Sequence, residues 1–116
     1  MALASPFVPW LLRQGEVLAS LQVAETRAAR RKGLLGQAAV DGALLLRPAR
    51  SVHSIGMRFA IDVAWLDSNL TVLRTAHLAR HRISRPVWRA QSIVEAEAGA
   101  FARWSLAVGD QLECRD

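Results

Sequence analysis

The sequence predicts a mainly β domain, a compact two-sheet β-sandwich or barrel with one or two short helices. Three observations predict it. Short apolar stretches of strand length recur from residue 15 onward, each ended by glycine, proline or a polar pair. One stretch alone, "TRAARRKGLLG", carries a full set of helix signals. The third is "DSNL" at 67–70, which separates two apolar runs as the turn of a hairpin would.

The size and balance of the chain agree with one globular core. Its 116 residues suffice for a single domain, and 52% apolar with 22% charged residues is a globular rather than a disordered composition. Residues 1–14 are expected to form an N-terminal arm that packs on the domain through Phe7, Val8 and Trp10, and residues 15–116 to form the β-rich domain itself. "MALASPFVPWLL" is not read as an export signal, because no basic residue precedes its apolar run and Pro6 and Pro9 interrupt it. It is also too short to span a bilayer, so no membrane span and a cytoplasmic location are expected.

"GEVLASLQVA" at 15–24 reads as the first strand, with partial alternation at Val17, Leu21 and Val23. In the helix that follows, Thr26 supplies an N-cap and Gly33 a left-handed stop. Arg27, Arg30 and Arg31 lie at helical spacing and share a face. That face is expected to be a solvated one whose late charges complement the helix C-terminus, rather than an anion site.

"ALLLRP" at 43–48 is a short strand ended by proline. From Phe59 to Asp67 both alternating faces are apolar, the mark of a central strand covered on each side. Asp62 is the exception. A carboxylate among Ala60, Ala64 and Leu66 must be met by an arginine or by backbone N–H groups, and Arg58, four residues earlier, falls on its face if the strand is continuous. Ser68-Asn69 then turns the chain, with Asn69 taking the positive φ, and "LTVLRTA" returns as the partner strand.

"HLARHRISRPVWRAQ" is expected to be an exposed arginine-rich loop. His77 and His81 would form a zinc pair on a helix, but Ile83 and Pro86 argue against a helix there and no third ligand stands nearby. Neither a metal nor any other cofactor is expected. "SIVEAEAG" is a strand with Ile93, Glu95 and Glu97 on one face, read as wet on one side and dry on the other. Gly99 opens a short helical turn that directs Phe101 and Trp104 inward, and Gly109-Asp110 turns into a last strand through Leu112 and Cys114.

Few signals point to chemistry. The net charge is +5, with fourteen arginines against one lysine, so the surface will adhere weakly to polyanions whatever its function. One cysteine, Cys114, excludes an internal disulfide and reads as a small hydrophobe. Ser51 and Ser54 flank His53, but no glycine elbow presents either as a nucleophile. No phosphate-cradling loop or dinucleotide fingerprint occurs.

Four blocks, "RRKGLLG", "VHSIGMRFAIDVAWLD", "SIVEAEAG" and "LAVGDQLE", occur in an order and with spacings similar to those of a bacterial and archaeal family, domain of unknown function 192. The resemblance spans residues 16–115. Its matching positions are Gly33, Leu34, His53, Met57, Asp62, Glu95, Gly99, Gly109 and Asp110. It implies a mostly β fold of two packed sheets and no established reaction. Some members carry a longer segment with a Lys-Asn-Thr run where this chain has "MRFAID", so a pocket built around that run is not expected here.

Three functional readings follow. The preferred one is a small non-enzymatic binding domain, monomeric, holding a small molecule or peptide near His53, Arg58, Asp62 and Glu95. The second is a small hydrolase-like enzyme with Asp62 or His53 as general base. The third is an electrostatic binder of nucleic acid or another polyanion through Arg80, Arg82, Arg85, Trp88 and Arg89.

Overall fold

The strands are assembled around β2 (Glu16–Ala24), whose two halves have different partners. A computed structural model describes residues 9–37 and 41–115. The first half of β2 pairs antiparallel with β1 (Trp10–Arg13), from Arg13 opposite Glu16 to Trp10 opposite Ser20. Its second half pairs in parallel with β3 (Ala43–Leu46), from Leu21 opposite Ala43 to Ala24 opposite Leu46. Parallel neighbours need a crossover, and residues 25–42 supply it with α1 (Arg27–Lys32).

The remaining strands are β4 (Ile61–Leu66), β5 (Val72–Leu78), β6 (Ser92–Glu97) and β7 (Leu112–Arg115), with α2 (Ala100–Arg103) between the last two. They complete a seven-stranded mixed sheet in the order β5-β4-β6-β3-β2-β1-β7. The change of partners along β2 folds this sheet on itself, so that Leu11 and Leu112 from one leaf meet Leu45, Leu66 and Val94 from the other in one core. The far edges touch at a corner, where Thr71 bridges Gln111 and the Val72 N–H reaches the Asp110 carbonyl at 2.8 Å. They do not pair along their length, so the sheet is not closed. The mainly β fold with two short helices is as the sequence predicts, and its two packed layers are leaves of a single folded sheet.

A second core covers the opposite face of β3, β4 and β6. Ile61, Val63, Trp65 and Ile93 meet Leu34, Val52 and Met57 there. Both faces of β4 are therefore buried, as its sequence implies, and each fully buried Ile, Val or Leu contributes roughly 1.5–3 kcal/mol. β6 departs from expectation. Ser92 through Ala96 are all buried rather than wet on one side, because the 46–57 segment and α1 cover the face on which Ile93 and Glu95 lie.

Two further local readings are corrected. Residues 10–13 of the expected arm are strand β1, between β2 and β7; Phe7 and Val8 lie outside the described residues, and Trp10 is largely exposed. In the β4–β5 hairpin the positive φ falls on Leu70 (63°) rather than Asn69. Asp67 is the reason. Its Oδ1 accepts from the N–H groups of Asn69 and Thr71, both at 2.9 Å, and this fixes the turn so that Leu70 closes it. Among the described residues, no helix is long and apolar enough to cross a membrane.

Candidate functional site

The site begins with how α1 ends. Thr26 Oγ1 accepts from the Ala29 N–H at 3.0 Å, which starts the helix, and Gly33 stops it at φ 48°, ψ −123° with its own N–H on the Ala29 carbonyl. The chain then drops Leu34 into the core. The last turn of α1, Arg30, Arg31 and Lys32, is left standing over the sheet along one side of a cavity of about 290 Å³.

The opposite wall is the segment from Leu46 to His53, and it is braced from behind. Trp65 Nε1 donates to the Arg50 carbonyl at 2.9 Å, and the Val52 N–H donates to Ser84 Oγ at 2.8 Å. Val87 and Ser84 add backbone bonds to Arg50 and Val52. The basic 80–91 segment thus holds the wall through its backbone and Ser84, while Arg82, Arg85 and Arg89 are exposed. The wall itself contributes Arg50 and His53 to the cavity.

Glu95 forms the floor. It projects from β6 between Leu44 of β3 and Val63 of β4, is 3% exposed, and its Oε1 has no hydrogen-bond partner among the described residues. A β-carbon on Gly33 would stand 3.7 Å from that same oxygen, so the helix stop and the carboxyl share the bottom of the cavity. Burial pushes the Glu95 carboxyl up to about 7, since the charged form loses hydration without gaining a donor. The arrangement is an unsatisfied acidic group beneath a cationic rim, with apolar sides from Leu34, Leu46, Val52 and Met57.

The structure divides the residues singled out from the sequence. His53 and Glu95 line the cavity together, and with them Gly33, Leu34 and Met57, which also carry the family resemblance. Asp62 lies on the other face of the sheet. Its Oδ2 accepts from the N–H groups of Gly99 at 3.0 Å and Phe101 at 3.1 Å, holding the start of α2, and its Oδ1 is 3.5 Å from His77 Nδ1. Arg58 is exposed, and Asp62 is met by backbone rather than by this arginine. Arg80, Arg82, Arg85, Trp88 and Arg89 are all exposed and line no part of this cavity.

Other expectations resolve in detail. His77 belongs to β5 and His81 takes φ 60° in the turn after it, so they share no helix face; His81 Nδ1 accepts from the Gly56 N–H at 3.1 Å. Among the described residues no cluster of three or more His, Cys, Asp or Glu could hold a metal. Ser54 Oγ is buried, donating to the Ala79 carbonyl and accepting from the Arg82 N–H. Cys114 is half-buried in β7.

Arg30 and Arg31, expected from the sequence to form a solvated face rather than an anion site, line the cavity, and so does Arg50, which no sequence signal singles out. The signal is weak because nothing in a charge run says which face of a distant strand it will overhang. Nor does the sequence single out Arg13, whose guanidinium bonds Asp110 Oδ2 at 3.0 Å and the Trp104 carbonyl at 2.6 Å and so ties β1 to the turn before β7. The Asp110 carboxyl is held low by its bond from the Ala107 N–H and by Arg13.

Comparison with known proteins gives consistent results. A 63-residue stretch is 43% identical to the UPF0127 protein of Pyrococcus furiosus, a match that spans 54% of this chain and about half (54%) of that relative. Two solved structures superpose with a TM-score of 0.75 over 91% of this chain. One is a protein of unknown function from Novosphingobium aromaticivorans, 14% identical and covered over 83% of its length. The other, from Sinorhizobium meliloti, is described as a candidate transcription regulator, 20% identical and covered over 91%. At those identities the likeness is one of fold. The family model described as an uncharacterised ACR, domain of unknown function 192, matches residues 11–114, and the chain belongs to that family.

Proposed function

We propose that this chain is a small binding protein whose site is the cavity between α1 and the 46–53 wall, and that its ligand is a small organic molecule with an anionic group. One observation carries the reading: a carboxyl oxygen of Glu95, buried and without a partner among the described residues, lies at the bottom of a cavity rimmed by the cations Arg30, Arg31, Lys32 and Arg50. A buried polar atom left without a hydrogen bond costs about 1–3 kcal/mol, and a fold tolerates that most readily where a ligand completes the site. The size of the cavity suits a molecule of few heavy atoms, and its apolar sides give such a molecule somewhere to place a hydrocarbon part.

The test is a screen of small carboxylates, phosphates and amino acids by thermal shift, with hits mapped by amide chemical-shift changes. Binding at this site moves Gly33, Leu34, His53 and Met57, and it weakens in Arg31→Ala/Lys32→Ala. Perturbations confined to residues 80–89 would refute the cavity as the site.

A second reading, adherence to polyanions through the 80–89 segment, is favoured by Trp88, which is 75% exposed beside Arg89 and near Arg85.

A further inference from the structure

We infer that the ligand of the cavity is a zwitterion, a free α-amino acid with an apolar side chain, its ammonium group on Glu95 and its carboxylate at the basic rim. This rests on the reading of the cavity as a binding site and adds the class of molecule.

The floor and the rim make opposite demands. Glu95 Oε1 has no donor, and among the described residues its carboxyl is in no ion pair. An N–H donor is what it lacks, and a cationic one bonds a carboxylate about twice as strongly as a neutral one. The rim has the reverse deficit. Arg31 and Lys32 have no carboxylate partner among the described residues, while Arg30 donates to the carbonyls of Glu25 and Arg47 and Arg50 to that of Trp88, and both keep other donors.

A simple anion answers only the rim. It leaves Oε1 unpaired and brings a second negative charge toward a buried carboxyl. A simple amine answers only the floor, and must enter past four cations on a chain that already carries +5. A molecule with ammonium and carboxylate a few bonds apart satisfies both, and it adds no net charge to the site. Leu34, Leu46, Val52 and Met57 then face its side chain. Specificity comes chiefly from the floor, since a site built to bond a donor rejects analogues that lack one.

The experiment compares three probes on the full chain by calorimetry and amide chemical shifts: leucine, 4-methylpentanoate, which lacks the amine, and leucinamide, which lacks the carboxylate. Methionine and phenylalanine extend the first class. At least one of the three amino acids binds with shifts at Gly33 and Met57, about tenfold or more tighter than either half-ligand. In Glu95→Gln its advantage over 4-methylpentanoate disappears. If 4-methylpentanoate binds the wild-type cavity as tightly as leucine, the zwitterion is overturned while the anion site stands. Equal binding of leucinamide overturns both the zwitterion and the rim's role. If no amino acid perturbs the cavity but other small anions do, only the zwitterion falls; if nothing does, both readings fall. The wild-type comparison decides the matter even if Glu95→Gln does not fold.

Discussion

Glu95 stands opposite Val63 in the β4–β6 ladder, and Asp62 stands opposite Ala96. One position of register therefore sends the two carboxylates to opposite faces of the same sheet. Each then meets a different environment. Asp62 meets the N–H groups at the start of α2, whereas Glu95 meets a cavity. The same residue chemistry, buried in neighbouring strands, completes a structural joint on one side and leaves an open valence on the other.

Glu95 makes folding depend on pH. Its carboxyl titrates near the ordinary 4.5 when unfolded and at about 7 when folded, so the native state holds its proton after the unfolded chain has lost it. Stability is then fully present below pH 4.5 and falls as pH rises through 7, by about 3 kcal/mol in all. Glu95→Gln removes this slope. Arg30, Arg31, Lys32, Arg50 and His53 face the same cavity and are common to both proteins, so the difference between the two denaturation series isolates Glu95. Parallel curves from pH 4.5 to 8 would show the carboxyl to be solvated.

Asp62→Ala should lower stability by about 2 kcal/mol, because it strands two N–H groups at the start of α2, one of them buried. Asp62→Asn keeps a carbonyl acceptor and costs less, on the order of 1 kcal/mol. Neither reaches across the sheet to the cavity. Urea denaturation gives the two costs, and binding of small anions by the folded variants remains as in wild type. Loss of binding in a fully folded Asp62→Asn protein would move the site to the other face.

Local signals made much of the fold readable. Thr26 and Gly33 bound α1 because a cap and a left-handed stop act within one turn, and β4 declared itself by being apolar on both faces. β1 did not. Leu11 enters the core with Leu112 while Leu12, on the opposite face, is buried as well, so two successive buried leucines hide the alternation that marks a half-exposed strand. The site was only partly readable for a related reason. Alternation within β6 singles out Glu95 but puts it on a wet face, since it cannot reveal that a crossover and a loop from elsewhere in the chain close over it. The grouping of Arg58 and Asp62 with His53 assumed a strand beginning before Ile61, and β4 begins there.

Gly42 is a position where only glycine fits. It takes φ +80° immediately before β3, and an added β-carbon would lie 2.6 Å from the Ser20 carbonyl oxygen and against its side chain. Gly42→Ala combines strain with a clash against backbone of the neighbouring β2. A loss of at least about 2 kcal/mol in chemical denaturation is expected. Ser20→Ala in the same chain should restore little of it, because the obstructing atom is main-chain. A Gly42→Ala protein as stable as wild type would mean that the β2–β3 junction is wider than described.

The cavity rim and the 80–89 segment can be separated by charge removal. Arg31→Ala/Lys32→Ala takes away two cations that have no carboxylate partner among the described residues, so it should weaken small-anion binding about tenfold and leave the fold intact. Arg82→Ala/Arg85→Ala removes exposed charge on the far side of the 46–53 wall, whose bracing runs through the backbone and Ser84 and survives the change. It should leave small-anion binding unaltered. Retention of a single-stranded oligonucleotide should respond in reverse, the second pair reducing the slope of log affinity on log salt by about 1.4 if both arginines contact phosphates. Filter binding across a salt series, beside calorimetry with the small anion, reads both quantities. If the Arg82/Arg85 pair abolishes both while the fold persists, the two surfaces are one site, and the cavity is its deepest part rather than a separate pocket.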